Sequence, residues 1–221
     1  MNSPLESTIL FHIGPIAVAQ AVVTTWALMA LMTFGFWLAC RRLRVEAPGR
    51  VQVLLEWYVE LIQQQIRDTM QCPPRPFLPL IATLFLFIAM ANLSALVPGV
   101  EPPTATLETD AALALIVFVT VLVQGVRSHG LLGYLRSFAS PGWFMLPLNL
   151  LEQITRTFSL MVRLFGNIMS GAFVIGIVLS LTGLFVPIPF MALDILTGLI
   201  QAYIFTVLAM VFIGAALHEG G

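Results

Sequence analysis

Long parts of the chain run without a charge. Ile16 to Cys40 contains none, Phe77 to Val97 contains none, and neither does Ala111 to Val126. A helix needs about 20 mostly apolar residues to cross the hydrocarbon layer of a bilayer. The first two runs meet that length, and the third needs its flanks to complete a crossing. Pro147 to about Gly183 is apolar apart from Glu152, Arg156 and Arg163, and Phe190 to Leu217 carries Asp194 as its charge. The pattern predicts an all-α polytopic membrane protein with five membrane helices, over 16–40, 77–97, 111–126, 147–183 and 190–217. They are expected to form one membrane domain over 1–221, with no solenoid-type repeat.

The segment 50–70 has a different pattern. Val51, Leu54, Leu55, Tyr58, Leu61, Ile62, Ile66 and Met70 recur at helical spacing, while Gln52, Glu56, Glu60, Gln63, Gln64, Arg67 and Asp68 fall largely on the other side. This predicts an amphipathic helix lying along the membrane surface or against a partner.

Composition supports the bilayer as solvent. Hydrophobic residues make up 59% of the chain and charged residues 10%, against about 25% charged in a soluble domain. No basic cluster is large enough to track nucleic-acid phosphates. Cys40 and Cys72 have neither metal-ligand nor redox spacing and read as incidental thiols. No positive charge precedes the first apolar run, so that run lacks the basic region of a signal peptide and is expected to be retained.

Arginine placement gives an orientation. All ten basic residues are arginine. With the N-terminus outside, Arg41, Arg42, Arg44, Arg50, Arg67, Arg75, Arg127 and Arg136 all fall on the cytoplasmic side. The loop from Pro98 to Asp110, with Glu101, Glu108 and Asp110, then lies outside without a basic residue. This single assignment satisfies the positive-inside rule at every loop arginine and puts the C-terminus in the cytoplasm. Pro102-Pro103 and Pro141-Gly142 mark turns. Val186-Pro187-Ile188-Pro189 is a short connection that makes the last two helices an antiparallel hairpin.

The charges inside the spans carry the functional information. Asn149, Glu152, Arg156, Ser159, Arg163, Asn167 and Ser170 follow one another at steps of three or four, which keeps them on one helix face. An arginine at the centre of a membrane helix costs roughly 2.5–3.5 kcal/mol on insertion scales, so it is expected to face protein or a watery cavity. On the last span Asp194 and Gln201 are two helical turns apart and share a face. Asp194 admits two readings, a functional acid or an acid placed near a helix N-terminus by the dipole. Gln201 reads either as an interhelical hydrogen-bonding residue or, facing Arg163, as a group that positions the guanidinium.

Arg163-Leu164-Phe165-Gly166-Asn167, preceded by Pro147-Leu148-Asn149-Leu150-Leu151-Glu152, resembles the signature of the a subunit of F-type rotary ATP synthases. Gln201-Ala202-Tyr203-Ile204-Phe205, followed by Ile213-Gly214-Ala215-Ala216, is similar to the matching motif on that family's last helix, and Pro103-Thr104-Ala105-Thr106-Leu107 fits as well. The resemblance covers about Phe77 to Leu217. The short segment before the first span is similar to compact bacterial forms, including the alternative N-type of these ATPases.

The resemblance implies a stationary, non-catalytic subunit that packs against a rotating ring of c subunits. It also implies a b-type peripheral stalk and the remaining ATP synthase subunits as partners, and the bacterial plasma (inner) membrane as the location. It requires no cofactor or metal. Arg163 matches the family's essential arginine, which stands between two offset half-channels carrying H+ or Na+ to and from the ring carboxylates. Topology then assigns Asn167, Ser170, Asp194 and Gln201 to the outer half-channel, and Glu152, Arg156 and Ser159 to the inner one.

One position departs from the family. Many relatives carry a glutamate after the glycine that Gly171 matches, and here Ala172 follows. With Arg163 and Gln201 level, Ala172 lies nine residues outward on one helix and Asp194 seven residues outward on the other. At about 1.5 Å per residue those depths differ by roughly 3 Å, so Asp194 is expected to supply the missing acid.

Two other classes fit poorly. An intramembrane protease needs a nucleophile with a base, paired aspartates or a metal motif, whereas His12, His129 and His218 lie near span ends and in loops, where they read as interfacial residues. A stand-alone secondary ion transporter predicts inverted repeats and a broken-helix site, and neither is visible.

Overall fold

The structure is a computed structural model that describes residues 9–13, 16–41, 49–97, 100–138, 144–182 and 186–218. At 9–18, 129, 131–132, 134–138, 182 and 218 the backbone alone is described. Arg42, Arg44, the Pro141-Gly142 turn and Gly183 lie outside the described residues, as do the side chains of all three histidines.

The described chain opens on an antiparallel hairpin, β1 (Ile9–Ile13) with β2 (Ile16–Ala19). Residues 16–19 therefore belong to a strand, and the first helix, α1 (Gln20–Cys40), starts four residues later than the apolar run suggests. The β-branched Ile16 and Val18 suit either state. α1 is apolar on every side, yet Ala21 and Leu28 are its only buried residues. A greasy rod that is not buried in protein is a rod for lipid. Thr24 and Thr25 hide their hydroxyls by donating to the carbonyls of Gln20 and Ala21. Where α1 ends, the Arg41 guanidinium lies over the Trp37 ring at 4.2 Å from its centroid.

The amphipathic helix α2 (Arg50–Met70) has the bounds its sequence pattern predicts. Its C-terminal half buries Ile62, Ile66 and Met70. Tyr58 donates to the Ala82 carbonyl at 2.7 Å, and Gln65 donates to the Tyr203 hydroxyl at 2.6 Å. A Cβ on Gly214 would lie 3.5 Å from the Met70 Cα, so the glycine lets the two helices approach closely. Gln71, left-handed at φ 50, ends α2 before Pro73 and Pro74.

α3 (Leu78–Ser94) has 17 residues, shorter than the 77–97 run. At 1.5 Å per residue it reaches about 25 Å, so its flanking turns must complete a crossing of about 30 Å. A short 3-10 turn at Pro103–Ala105 follows, with Pro103 and Thr104 buried. The loop between α3 and α4 is thus tucked partly into the bundle. α4 (Leu107–Phe138) is longer than 111–126 at both ends, since Glu108 and Asp110 belong to its first turn and it runs on past Arg127. It bends at Gly130, whose φ of 72° is left-handed, and its apolar spanning part is Leu107–Ser128.

α5 (Met145–Thr182) and α6 (Pro187–His218) have 38 and 32 residues. Pro187 sits in the first turn of α6, where its missing N–H costs nothing, so α6 starts three residues before the expected 190. Their lengths, about 57 and 48 Å, exceed a hydrocarbon layer of about 30 Å, so they lean or emerge from it. Among the described residues four helices, α1, α4, α5 and α6, are long and apolar enough to cross a membrane, with α3 as the shorter fifth.

One apolar cluster joins α2 to α6. Ile66, Ile81, Leu84, Val117, Leu164 and Phe205 lie at its centre. Ala202, Ala209 and Ala216 on α6 are all buried, and such small residues let membrane helices pack tightly without a polar driving force.

Candidate functional site

The polar stripe of α5 divides where it meets α6. Glu152, Arg156, Ser159 and Arg163 line one hollow of about 500 Å3, closed by Leu148, Leu160, Leu208 and Phe212. Asn167, Ser170, Gly171, Asp194 and Thr197 line a second of about 190 Å3, together with Val174 and Phe190. Arg163 borders the first and Asn167 the second, one helical turn apart. The residues expected on the inner and outer sides therefore separate into two hollows. Gln201 borders neither.

The charges of the first hollow are unequal. Arg156 is ion-paired with Glu152 one turn below it, and its guanidinium lies 5.4 Å from the Phe212 ring centroid. Arg163 has no ion pair or hydrogen bond among the described residues. It is exposed, at the edge of the hollow that α5 shares with α6. Gln201 is buried, at 7% exposure, and its amide nitrogen has no partner. The hydrogen bond expected between Gln201 and Arg163 is thus not made, because one side chain faces the core and the other faces outward.

In the second hollow the Asp194 carboxyl lies against the backbone of α5. A Cβ built on Gly171 would meet Asp194 Oδ1 at 1.9 Å. Only glycine leaves that space free, and Ala172 is the next residue along α5. Asp194 is two turns into α6, beyond the first turn where a helix dipole acts strongly. Ser170 bonds back to the Asn167 carbonyl at 3.0 Å, and the Asn167 amide nitrogen is unpartnered.

Other polar residues serve the site without belonging to the stripe. Asn92 on α3 donates to the Gly198 carbonyl at 2.7 Å and accepts from the Thr104 hydroxyl at 2.8 Å. A Cβ on Gly198 would be 3.0 Å from the Asn92 Cβ, so this glycine admits the contact. Gly198 lies between Asp194 and Gln201, and the bond ties that stretch of α6 to α3. An asparagine within the apolar run 77–97 was the available signal for this role. Asp110, expected in the outer loop, is fully buried in α4 with both carboxyl oxygens unpartnered.

On α2, burial pushes the Tyr58 phenol up to about 12, so the hydroxyl keeps the proton it donates to Ala82. No group of three or more His, Cys, Asp or Glu stands close enough to hold a metal among the described residues.

The family model for the ATP synthase A chain matches residues 22–214. An ATP synthase subunit a 2 of Bradyrhizobium sp. (strain BTAi1 / ATCC BAA-1182) is 61% identical over 216 residues, 98% of this chain and 96% of that protein. An ATP synthase subunit a 2 of Pelobacter propionicus is 48% identical, over 97% of this chain and 94% of its own. An ATP synthase subunit a of Albidiferax ferrireducens is 45% identical, over 96% and 92%. With the arginine and glutamine motifs on α5 and α6 and nearly all of its length shared with these relatives, the chain is a multi-pass membrane protein of the ATP synthase A chain family, the a subunits of F-type ATP synthases.

Proposed function

We propose that the chain is the non-catalytic stator of a rotary ATP synthase, carrying H+ or Na+ through two offset half-channels to and from carboxylates on a c-ring. The observation that supports this most is the division of the α5–α6 stripe into two hollows, with the unpaired Arg163 at the boundary. Its partners are then the ring, a b-type peripheral stalk and the remaining subunits. Its location is the bacterial inner membrane, with the N-terminus outside.

The chemistry follows from the residue types. A ring carboxylate facing lipid must be neutral, because a charge there is costly. Near a fixed guanidinium the ionised form is favoured, so the carboxyl releases its ion. Arginine suits this role because it does not give up its own proton. Its charge also repels cations and so blocks a direct passage between hollows. The outer path runs by Asp194, Ser170 and Asn167, with Gln201 behind them, and the inner path by Ser159, Arg156 and Glu152. The membrane field drives the cycle with roughly 2.3 kcal/mol per charge per 100 mV.

The test is Arg163→Ala in the whole complex, reconstituted into vesicles with an imposed ion gradient. Assembly at the wild-type level with no ion-driven ATP synthesis is expected. Normal synthesis would overturn the reading.

A further inference from the structure

The mechanism above leaves one buried acid unused. Asp110 is 0% exposed, and neither carboxyl oxygen has a partner. It heads the face by which α4 enters the core, followed by Leu113, Ala114, Val117 and Val121. The carboxyl therefore belongs to the bundle interior rather than the lipid face.

Its depth follows from the packing of α4 on α5. Ala111, Ala114 and Phe118 of α4 line one groove with Ile154, Thr157 and Met161 of α5. Consecutive helices joined by the short connection between 138 and 145 run antiparallel, which sets Ala111 across from Met161 and Asp110 near the turn Met161–Leu164, level with Arg163. On α6, Asp194 lies against Gly171 while Phe212 lies against Arg156, so Gln201 falls in the same layer. Two amide nitrogens near that depth, of Asn167 and Gln201, lack acceptors. Two donors without acceptors and a carboxyl without donors are complementary. A carboxylate left bare in an apolar interior is costly, and taking a proton removes the cost.

Building on the stator reading, we propose that Asp110 is a proton-holding station at the depth of Arg163, on the bundle side of α5, exchanging with the outer hollow past Asn167. A proton arriving from the outer side forms an O–H bond on Asp110 and leaves a neutral carboxyl. When that bond breaks the same proton passes to the next acceptor, and the amides of Asn167 and Gln201 donate to the restored carboxylate. The charged groups on the packed elements are Glu108, Arg127 and Arg136 on α4 itself, Glu101 before the 3-10 turn, Glu152, Arg156 and Arg163 on α5 and Asp194 on α6; Arg163 is the one that falls in the layer of Asp110. α3 and the 3-10 turn carry none. Asp110 would thus follow Asp194 as a second carboxyl on the outer route.

The experiment measures passive proton conductance of the reconstituted complex across a series of outer pH values. Asp110→Asn is expected to assemble, to lose conductance by on the order of tenfold, and to lose one titration step from the pH profile. Asp110→Glu is expected to keep conductance with a displaced profile. A wild-type rate and profile in Asp110→Asn would overturn the inference. So would failure of both variants to assemble, which would mark the residue as structural. Arg163→Ala, read by coupled synthesis, separates the two ideas: normal synthesis there defeats the stator reading, whatever Asp110 does.

Discussion

The carboxyl of Asp194 occupies the space into which residue 171 would project a side chain. With Gly171 in place there is no clash, but a Cβ there would lie 1.9 Å from Oδ1 and 2.6 Å from Cγ. The acid of one helix thus depends on the bareness of the other.

Gly171→Ala is expected to impair transport more than stability. The atoms that must yield are the tip of one side chain, so the carboxyl swings away at about 0.5–1.5 kcal/mol of rotamer strain. Alanine's better helix propensity offsets roughly as much. Passive conductance should fall several-fold while the melting temperature of the solubilised complex hardly moves. A large fall in melting temperature with conductance intact would contradict this.

Asp194→Asn is expected to slow ion entry from the outer side, and adding Ala172→Glu should restore part of it. The two positions lie at one depth on facing helices, so one carboxyl can replace the other. The effects should therefore not add, as is usual for residues in contact. Conductance of the two single variants and the double variant checks this, and simple additivity would count against a shared acid.

Asn92→Ala is expected to cost about 1–3 kcal/mol, the penalty for stranding a buried polar partner. The Thr104 hydroxyl would lose its acceptor, and α6 would lose the bond at Gly198 that ties it to α3. Thermal unfolding of the complex measures the cost, and wild-type stability would refute the role.

Tyr58 should make the protein alkali-sensitive in a defined window. Its phenol ionises near 10 when free and near 12 in the fold. Between those values the folded state holds a proton that the unfolded state has lost, so stability is full below about 10 and declines toward 12. Tyr58→Phe should remove that slope at a cost of about 0.5–1.5 kcal/mol from the lost hydrogen bond to Ala82. Unfolding followed from pH 9 to 12 tests this, and an unchanged slope would refute it.

Much of the site was legible in the sequence because charges are rare in an apolar chain. Glu152, Arg156 and Arg163 stand out for that reason, and helical spacing alone puts them on one face. The depth match between Asp194 and Ala172 came from counting residues along antiparallel helices, and the Gly171 contact agrees with it. What was not legible depends on tertiary burial. Nothing local shows that the loop between α3 and α4 folds inward, so the buried Thr104 and Asp110 read as exposed loop residues. Nor does spacing give rotation: Gln201 and Arg163 fall in one layer, yet they face different surroundings. The β2 strand was missed because an apolar run of four residues fits a strand or a helix equally.

The length of α5 has a consequence for direction. A rod of about 57 Å inside a layer of about 30 Å, when it leans, turns a difference in depth into a difference along the membrane plane. The two hollows then open side by side as well as at different heights. On the proposed stator reading, a ring sliding past them would meet one mouth before the other, and which comes first would be fixed by the sense of the lean. The handedness of rotation under a given ion gradient would then be written in the slope of a single helix.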